Sequence, residues 1–419
     1  MSTSPAAWAP EALVAWSVEV GDPGELLSWL PAGSAFAFLR GGDGLVGWGE
    51  AARLPAAAGP RSGVELAAQV GELLGAMTVR DDVRVPGSGP VAIVSMTFDP
   101  DAAGSVVVVP KVVLGRRDGR SWLTLVTPPG GVAVPTLTRR PTSAARPVPA
   151  ALDQALPEEY VWRAAVETAV ARMQRGELEK VVLARAIDVV AEAAVDARIV
   201  AGRLAQRFPS CFTYVCDGLV GASPELLVRR TGRQAESLVL AGTVARGADE
   251  DETAQLEESL LASAKNRHEH RLAVESVMAT LSDVAVEVEA DAGPQLLRLA
   301  NLSHLATHVQ AWLPHGAPSA LALAARLHPT AAVGGTPSRP ALDLIRALEA
   351  APRDRYAGPV GWVDANGDGE FALALRCAQL DGARARVWAG AGIVAESDPE
   401  AEVAETTVKL EAALTALLS

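Results

Sequence analysis

Over residues 1–126 the apolar positions come in short runs separated by Gly, Pro and Asp. "SAFAFLRGGDGLVGWGEAARL" is two such runs around Gly-Gly-Asp-Gly, which predicts a hairpin. "GPVAIVSMTFDP" and "GSVVVVPKVVLGRRDGRSWLTLV" continue the pattern, interrupted by the helix-like interval "GVELAAQVGELLGAM". Residues 127–150, "TPPGGVAVPTLTRRPTSAARPVPA", are Pro-rich and aperiodic, and read as a surface crossing. Beyond them helix and strand patterns mix. "PEEYVWRAAVETAVARMQRGE" and "DARIVAGRLAQRF" read as helices, "KVVLARAIDVV" and "SCFTYVCDG" as strands. Strands follow around 226–230 and 235–241, then one long helix over "DETAQLEESLLASAKNRHEHRLAVESVMATL". The late strands are "YAGPVGWVD", "GEFALALRCAQL" and "ARARVWAGAGIV". Strands joined by short turns pair antiparallel, so the fold is expected to be α+β rather than doubly wound and parallel. No internal repeat interrupts this order.

Composition narrows the function. Of 419 residues, 49% are hydrophobic, enough for a real core, and the net charge of −13 lacks the basic footprint that nucleic acid or an anionic membrane needs. An anionic ligand must then be held by a few placed cations or a metal. Cys211, Cys216 and Cys377 fit neither a disulfide framework nor a zinc spacing. "MSTSPAAWAPEALVAW" has no signal-peptide pattern, and no apolar run approaches the roughly 18 residues of a membrane helix. A cytoplasmic protein is expected.

Three stretches imitate known sites. "DANGDGEFALAL" places Asp364, Asn366 and Asp368 like a calcium loop, but Leu375 stands where a bidentate Glu belongs and both flanks read as strands. It reads as a hairpin turn. "HLATH" sets His304 and His308 one helical turn apart, and "HEH" offers His268 and His270, with no cysteine nearby to complete a zinc site. "GAGIV" has too few glycines for a dinucleotide fingerprint.

"SDPEAEVAETTVK", residues 397–409, crowds carboxylates beside a lysine. Ser397 and Glu400 form a capping-box pattern with Pro399 in the first turn, so a helix is expected to run to the C-terminus. Glu402, Glu405, Thr406 and Lys409 then share a sector of about 100°. The adjoining stripe, Val403, Leu410, Leu414 and Leu417, should be buried. Glu405 and Lys409 are also an ordinary i,i+4 pair on a solvated face. A second carboxylate lies in "AKNRHEH", where Glu269 follows Lys265 by one turn. Oxygen ligands without thiolates suit Mg²⁺. From these residues alone both readings stay open.

The motifs also occur in a particular order: "KVVLAR" (180–185), "GASPELLVRR" (221–230), "LAGTVARG" (240–247), "AKNRHEH" (264–270), "LHPTAAVGGTP" (327–337), "YAGPVGW" (356–362), "ALRCA" (374–378), "GAGIV" (390–394) and "AEVAETTVKL" (401–410). This order resembles the chorismate-utilising enzymes, and the isochorismate synthase branch most closely. It covers about residues 155–419 strongly; "FLRGGDGLVGWGEA" matches more loosely. The resemblance implies one large α+β domain over 1–419, two stacked sheets flanked by helices, with the site in a cleft between them. Residues 1–126 would be its variable strand-rich part, 127–150 the crossing and 151–419 the catalytic part.

The resemblance further implies Mg²⁺ held by Glu269 and Glu405, with Glu402 close by, clamping one carboxylate of chorismate. Arg376, Lys409 and the backbone around Gly390 would hold the other anionic group, with Gly242 and Thr243 lining the metal side. Lys180 would activate water for attack at ring C2, and Glu225 would protonate the departing C4 hydroxyl. Burial or nearby cations can draw a lysine towards its neutral form, and Lys180 opens the apolar run "VVLA". Glu225 lies between Pro224 and Leu226–Leu227, a setting that raises a carboxyl pKa.

Ala241 occupies the place of the nucleophilic lysine of aminodeoxychorismate synthases, and the "NPSPY"-like segment of anthranilate synthases is absent. No glutaminase subunit is expected, and family members are often monomers. Salicylate synthases, which add pyruvate elimination, remain the alternative, since His328 and Tyr356 match their pattern. Asn266 stands where relatives usually carry a carboxylate, which leaves an inactive paralogue acting as an interaction module as a further possibility.

Overall fold

The apolar runs form strands. In the computed structural model, which describes residues 13–33, 35–55, 62–131, 138–139 and 148–418, they build two sheets. Residues 1–12, the opening stretch, and most of the Pro-rich crossing (132–137 and 140–147) lie outside the described residues. Among the described residues one sheet has thirteen strands and the other ten. The N-terminal strands pair with late ones in both. Ala35–Arg40 lies against Phe212–Cys216, and Val91–Ser95 against Pro359–Asp364. Pairing is antiparallel except between Val14–Val20 and Thr78–Asp81.

Aromatic side chains fill the space between the sheets: Phe36, Phe38 and Tyr214 from the first, Trp362 and Phe371 from the second, all at most 2% exposed. Burying each contributes about 1.5–3 kcal/mol relative to exposure. The architecture is the α+β, two-sheet one expected, with helices flanking the sheets. No helix of the described residues is long and apolar enough to cross a membrane.

Two connections that step from one sheet to the other matter most for the site. Leu219–Ser223 belongs to the thirteen-stranded sheet and Leu226–Thr231 to the ten-stranded one, so Pro224 and Glu225 form the step. Gly369–Leu373 and Cys377–Asp381 make the reverse step through Ala374, Leu375 and Arg376. The steps are stitched together: Leu373 N–H donates to the Glu225 carbonyl and Ala222 N–H to the Arg376 carbonyl, each at 3.2 Å. Arg376 sits at φ 49°, a left-handed conformation rare for a side chain of this size.

The structure corrects several local expectations. The long helix is two, Glu250–Ala262 and Ala264–Ser282, because Ser263 turns extended (φ −64°, ψ 117°) and its hydroxyl accepts from Asn266 N–H. The C-terminal helix, Pro399–Leu418, is capped by Asp398, whose carboxylate accepts from Ala401 N–H at 2.9 Å. Ser397 instead accepts from Val394 N–H. "HLATH" is not helical: it lies in the strand Leu302–Trp312, with His304 buried and His308 exposed. The "DANGDG" stretch is the expected hairpin turn, in which Asp364 accepts from the N–H groups of Asn366 and Asp368.

Candidate active site

Lys180 begins the strand Lys180–Ala191 and is fully buried, with Nζ 3.2 Å from Glu269 Oε1 and no hydrogen-bond partner among the described residues. Glu269 lies in the second turn of the Ala264–Ser282 helix. The next residue, His270, pins that helix to the ten-stranded sheet. Its Nε2 is 2.7 Å from Thr307 Oγ1 and its Nδ1 3.2 Å from the Ala241 carbonyl, and burial drives its pKa down to about 4. Gly392 lets Glu269 approach the neighbouring strand, since a Cβ there would stand 2.0 Å from Glu269 Oε1.

Beside these groups is a cavity of about 720 Å³, its open mouth included, large enough for a small organic ligand. Glu225, Gly242, Thr243, Glu269, Tyr356, Arg376, Gly390, Glu405 and Lys409 line it. Gly242 makes the bulge between Ala241 and Thr243 at φ 76°, which brings its backbone against Asn266 and Leu305. Tyr356 stacks on Trp388 at 5.9 Å. Lys409 Nζ reaches the Gly390 carbonyl at 3.0 Å and Glu405 Oε1 at 2.6 Å.

Burial sets the protonation of the sheet-crossing side. It pushes the Glu225 carboxyl up to about 8, against a backbone hydrogen bond from Leu240 and the charges of Lys180 and Lys409. Near neutral pH Glu225 therefore holds a proton. His304 is driven well below its ordinary range by burial, then by Arg376 and Lys409. The neutral ring accepts from Arg376 Nη2 through Nε2 at 2.7 Å, so its proton sits on Nδ1, 3.0 Å from Thr243 Oγ1. Arg376 Nη1 is buried with no partner among the described residues. A buried cationic donor left open in this way suits an anion.

The carboxylates on the helices are matched by lysines instead. Glu269 pairs with Lys180, Glu405 with Lys409, and the buried Glu402 with Lys265 at 2.5 Å. Burial and the nearby Glu405 raise the Glu402 pKa, against Lys265 and Ser397. Among the described residues no preassembled cluster of three metal-ligating side chains occurs. Mg²⁺ does not need one: it takes one or two carboxylates and completes its shell with water and substrate oxygens. Glu269 and Glu405, both facing the cavity, fit that demand; Glu402 stands behind them on Lys265.

Comparison with known proteins gives the family. The profile described as "Chorismate binding enzyme" matches residues 39–418. The chain belongs to the chorismate-binding enzymes. A Mycobacterium tuberculosis protein provisionally named isochorismate synthase MenF is 39% identical over 344 residues, spanning 79% of this chain and 87% of that protein. Isochorismate synthase EntC of Escherichia coli is 39% identical over 266 residues, 62% of this chain and 68% of its own length. The solved structure of MenF, the menaquinone-specific isochorismate synthase of Escherichia coli, superposes with a TM-score of 0.79 at 27% identity, covering 98% of this chain and 96% of that one.

Within this chorismate-binding fold, the twelve residues implied by the resemblance do not all meet. Nine line the cavity, while Lys180 lies beneath it on Glu269 and Glu402 behind it. His328 does not join them. Its Nε2 is 2.8 Å from the Phe98 carbonyl and its ring packs edge-on against Phe98, and burial lowers its pKa to about 4. The motif's Ala332 and Val333 face the cavity in its place. His304, Gly392 and Trp388 were not among the residues expected. "GAGIV" carried a signal for Gly392, and "HLATH" one for His304, but neither motif says which side chains will face a common cavity.

Proposed function

We propose that this protein is a Mg²⁺-dependent isochorismate synthase, converting chorismate to isochorismate by adding water at C2 and releasing the C4 hydroxyl. The observation that carries the reading is Glu225. Its carboxyl, pushed up to about 8, shares a cavity with the open cationic donor of Arg376 and adjoins buried Lys180. In this reading Arg376 and Lys409 bind the substrate's anionic groups and fix the ring. Lys180 accepts the proton of the attacking water, and Glu225 gives its proton to the leaving hydroxyl. One water enters, one leaves, and the ring double bonds shift between. Glu269 and Glu405 would hold Mg²⁺, which when bound supplies positive charge to a substrate carboxylate. Val182, Leu240 and Trp388 give the cavity apolar walls against which the ring can lie.

His328 packs on Phe98, the ring beneath Arg353, whose guanidinium holds the Val333 carbonyl, rather than touching substrate. Residues 1–126 and 151–419 act as one domain, needing no glutaminase because the nucleophile is water. The enzyme works as a cytoplasmic monomer, a setting compatible with the free thiols of Cys211, Cys216 and Cys377. Purified protein incubated with chorismate and Mg²⁺ should yield isochorismate without pyruvate by liquid chromatography with mass detection. EDTA or Glu405→Ala should abolish it. Equal amounts of salicylate and pyruvate, or no turnover, would overturn the reading.

A further inference from the structure

The strand Lys180–Ala191 is paired along one whole edge with Arg384–Ile393. Its other edge is interrupted. Lys180 and Val181 pair with Thr336 and Gly335, and Val182 N–H donates to the Gly334 carbonyl. The next strand on that edge, Ala150–Leu156, begins its pairing only at Ala186. Among the described residues no strand covers the gap, yet its backbone groups are satisfied. The Val182 carbonyl accepts from Arg353 Nη2 at 2.7 Å, Ala184 N–H donates to Glu349 Oε1 at 2.8 Å, and the Ala184 carbonyl accepts from Trp162 Nε1 at 3.2 Å.

Arg353 and Glu349 are themselves ion-paired across the non-helical segment that follows the Ser338–Leu348 helix, with side chains 2% and 7% exposed. Arg353 also donates through Nη1 to the Val333 carbonyl at 2.8 Å and lies 4.0 Å over the Phe98 ring. One guanidinium thus ties two parts of the cavity together: the strand that starts at Lys180 and the Ala332–Val333 wall.

We propose that the Arg353–Glu349 pair is a positioning device for the reaction, a side-chain rung that sets Lys180 and the Val333 wall in register. It rests on the reading of Lys180 as the base. A main-chain strand in this gap would close the cavity wall, and open edge groups would let the strand shift. The ion pair supplies a donor and an acceptor at strand spacing while leaving the wall concave. Misplacing a catalytic group by about 1 Å costs about a hundredfold in rate.

The test uses the full chain with Arg353→Met and the double substitution Arg353→Gln/Glu349→Gln. Breaking one partner of a buried pair threatens folding. The double variant leaves no buried charge unpaired, while the shorter neutral side chain at 353 cannot bridge the Val182 and Val333 carbonyls as the guanidinium does. In the folded double variant, kcat for isochorismate should fall at least about tenfold and KM for chorismate should rise. Hydrogen–deuterium exchange should quicken in peptides spanning 182–184 and 332–334 and nowhere else. The alkaline midpoint of the rate profile, set by Glu225, should not move. Arg353→Lys, which keeps one cationic donor, should recover part of kcat.

Unchanged kinetics in a folded double variant would overturn the proposal. So would an activity loss that follows Tm with exchange quickened throughout. Exchange is read whatever product forms. Wild-type protein that makes no isochorismate while the same peptides still loosen in the variant would instead count against the isochorismate reading alone.

Discussion

Glu225 and His304 lie where the chain steps between the sheets or on the strand beside that step, and among the described residues neither is ion-paired with a group of opposite charge. Both are held neutral near pH 7 by burial. On the two helices, Glu269, Glu402 and Glu405 are also withdrawn from water to varying degrees, but each holds a lysine. The contrast shows what a partner does. A buried acid with no ion pair keeps its proton near neutral pH, as Glu225 does, whereas the same effect of burial at Glu402 is opposed by Lys265. The difference follows where the backbone comes from: Glu225 sits on a sheet crossing, whereas Glu269, Glu402 and Glu405 project from helices.

The sharpest break of that contrast is Glu225→Gln. It should lower kcat by about 10²–10⁴-fold while chorismate binding, followed by tryptophan fluorescence, stays as in wild type. In the unaltered protein kcat/KM should fall on the alkaline side with a midpoint near the carboxyl's value of about 8, because only the protonated acid donates. A profile flat to high pH would remove Glu225 from the acid role. The same group has a stability signature. Its folded pKa lies above the unfolded one, so its contribution is full below the ordinary carboxyl range and is lost as pH rises towards about 8.

Gly392→Ala attacks the other side. A Cβ 2.0 Å from Glu269 Oε1 must push that carboxylate away from Lys180, and a rate loss on the order of a hundredfold is expected at fixed Mg²⁺. Partial recovery at high Mg²⁺ would localise the damage to the ion's seat, and wild-type rates in the variant would show that Glu269 does not need this position. A milder probe is Asn266→Asp, one turn before Glu269 and against Gly242. An added carboxylate there should lower the Mg²⁺ concentration for half-maximal rate by about tenfold, measured by titration; an unchanged value would place Asn266 outside the ion's reach.

The smallest effect concerns folding. His270 has a folded pKa of about 4, below its unfolded value. Its contribution is therefore present above about 6.5 and lost as pH falls towards 4, worth about 3 kcal/mol. Urea denaturation at pH 7.5 and pH 5 should show that slope in wild type and a shallower one in His270→Asn.

Much of this was legible beforehand, and the failures share a cause. The hairpin around Gly41 and Gly42, the strand from Lys180 and the helix bearing Glu402 and Glu405 follow from local period and turn chemistry. The misread places are those where two local signals compete. Ser263 can continue a helix or cap one, and its hydroxyl's bond to Asn266 N–H decides for the cap. Asp398 outcompetes Ser397 because Ser397 is engaged with Val394. "HLATH" has histidines at helical spacing, but its neighbours pair with Gln234–Ala245 over the full strand.

The sequence alone determined which residue types could do the chemistry and their order along the chain, because motifs and periodicity are local properties. Only the tertiary structure decided which of them meet. Glu225 and Arg376, 151 positions apart, are neighbours because two sheet crossings hydrogen-bond to each other. His328 is turned to Phe98, and His304, which the sequence spaces one helical turn from His308, stands on Arg376. Protonation follows the same division: a carboxyl's identity is written in the chain, but the burial that lifts Glu225 to about 8 is supplied by residues far away in it.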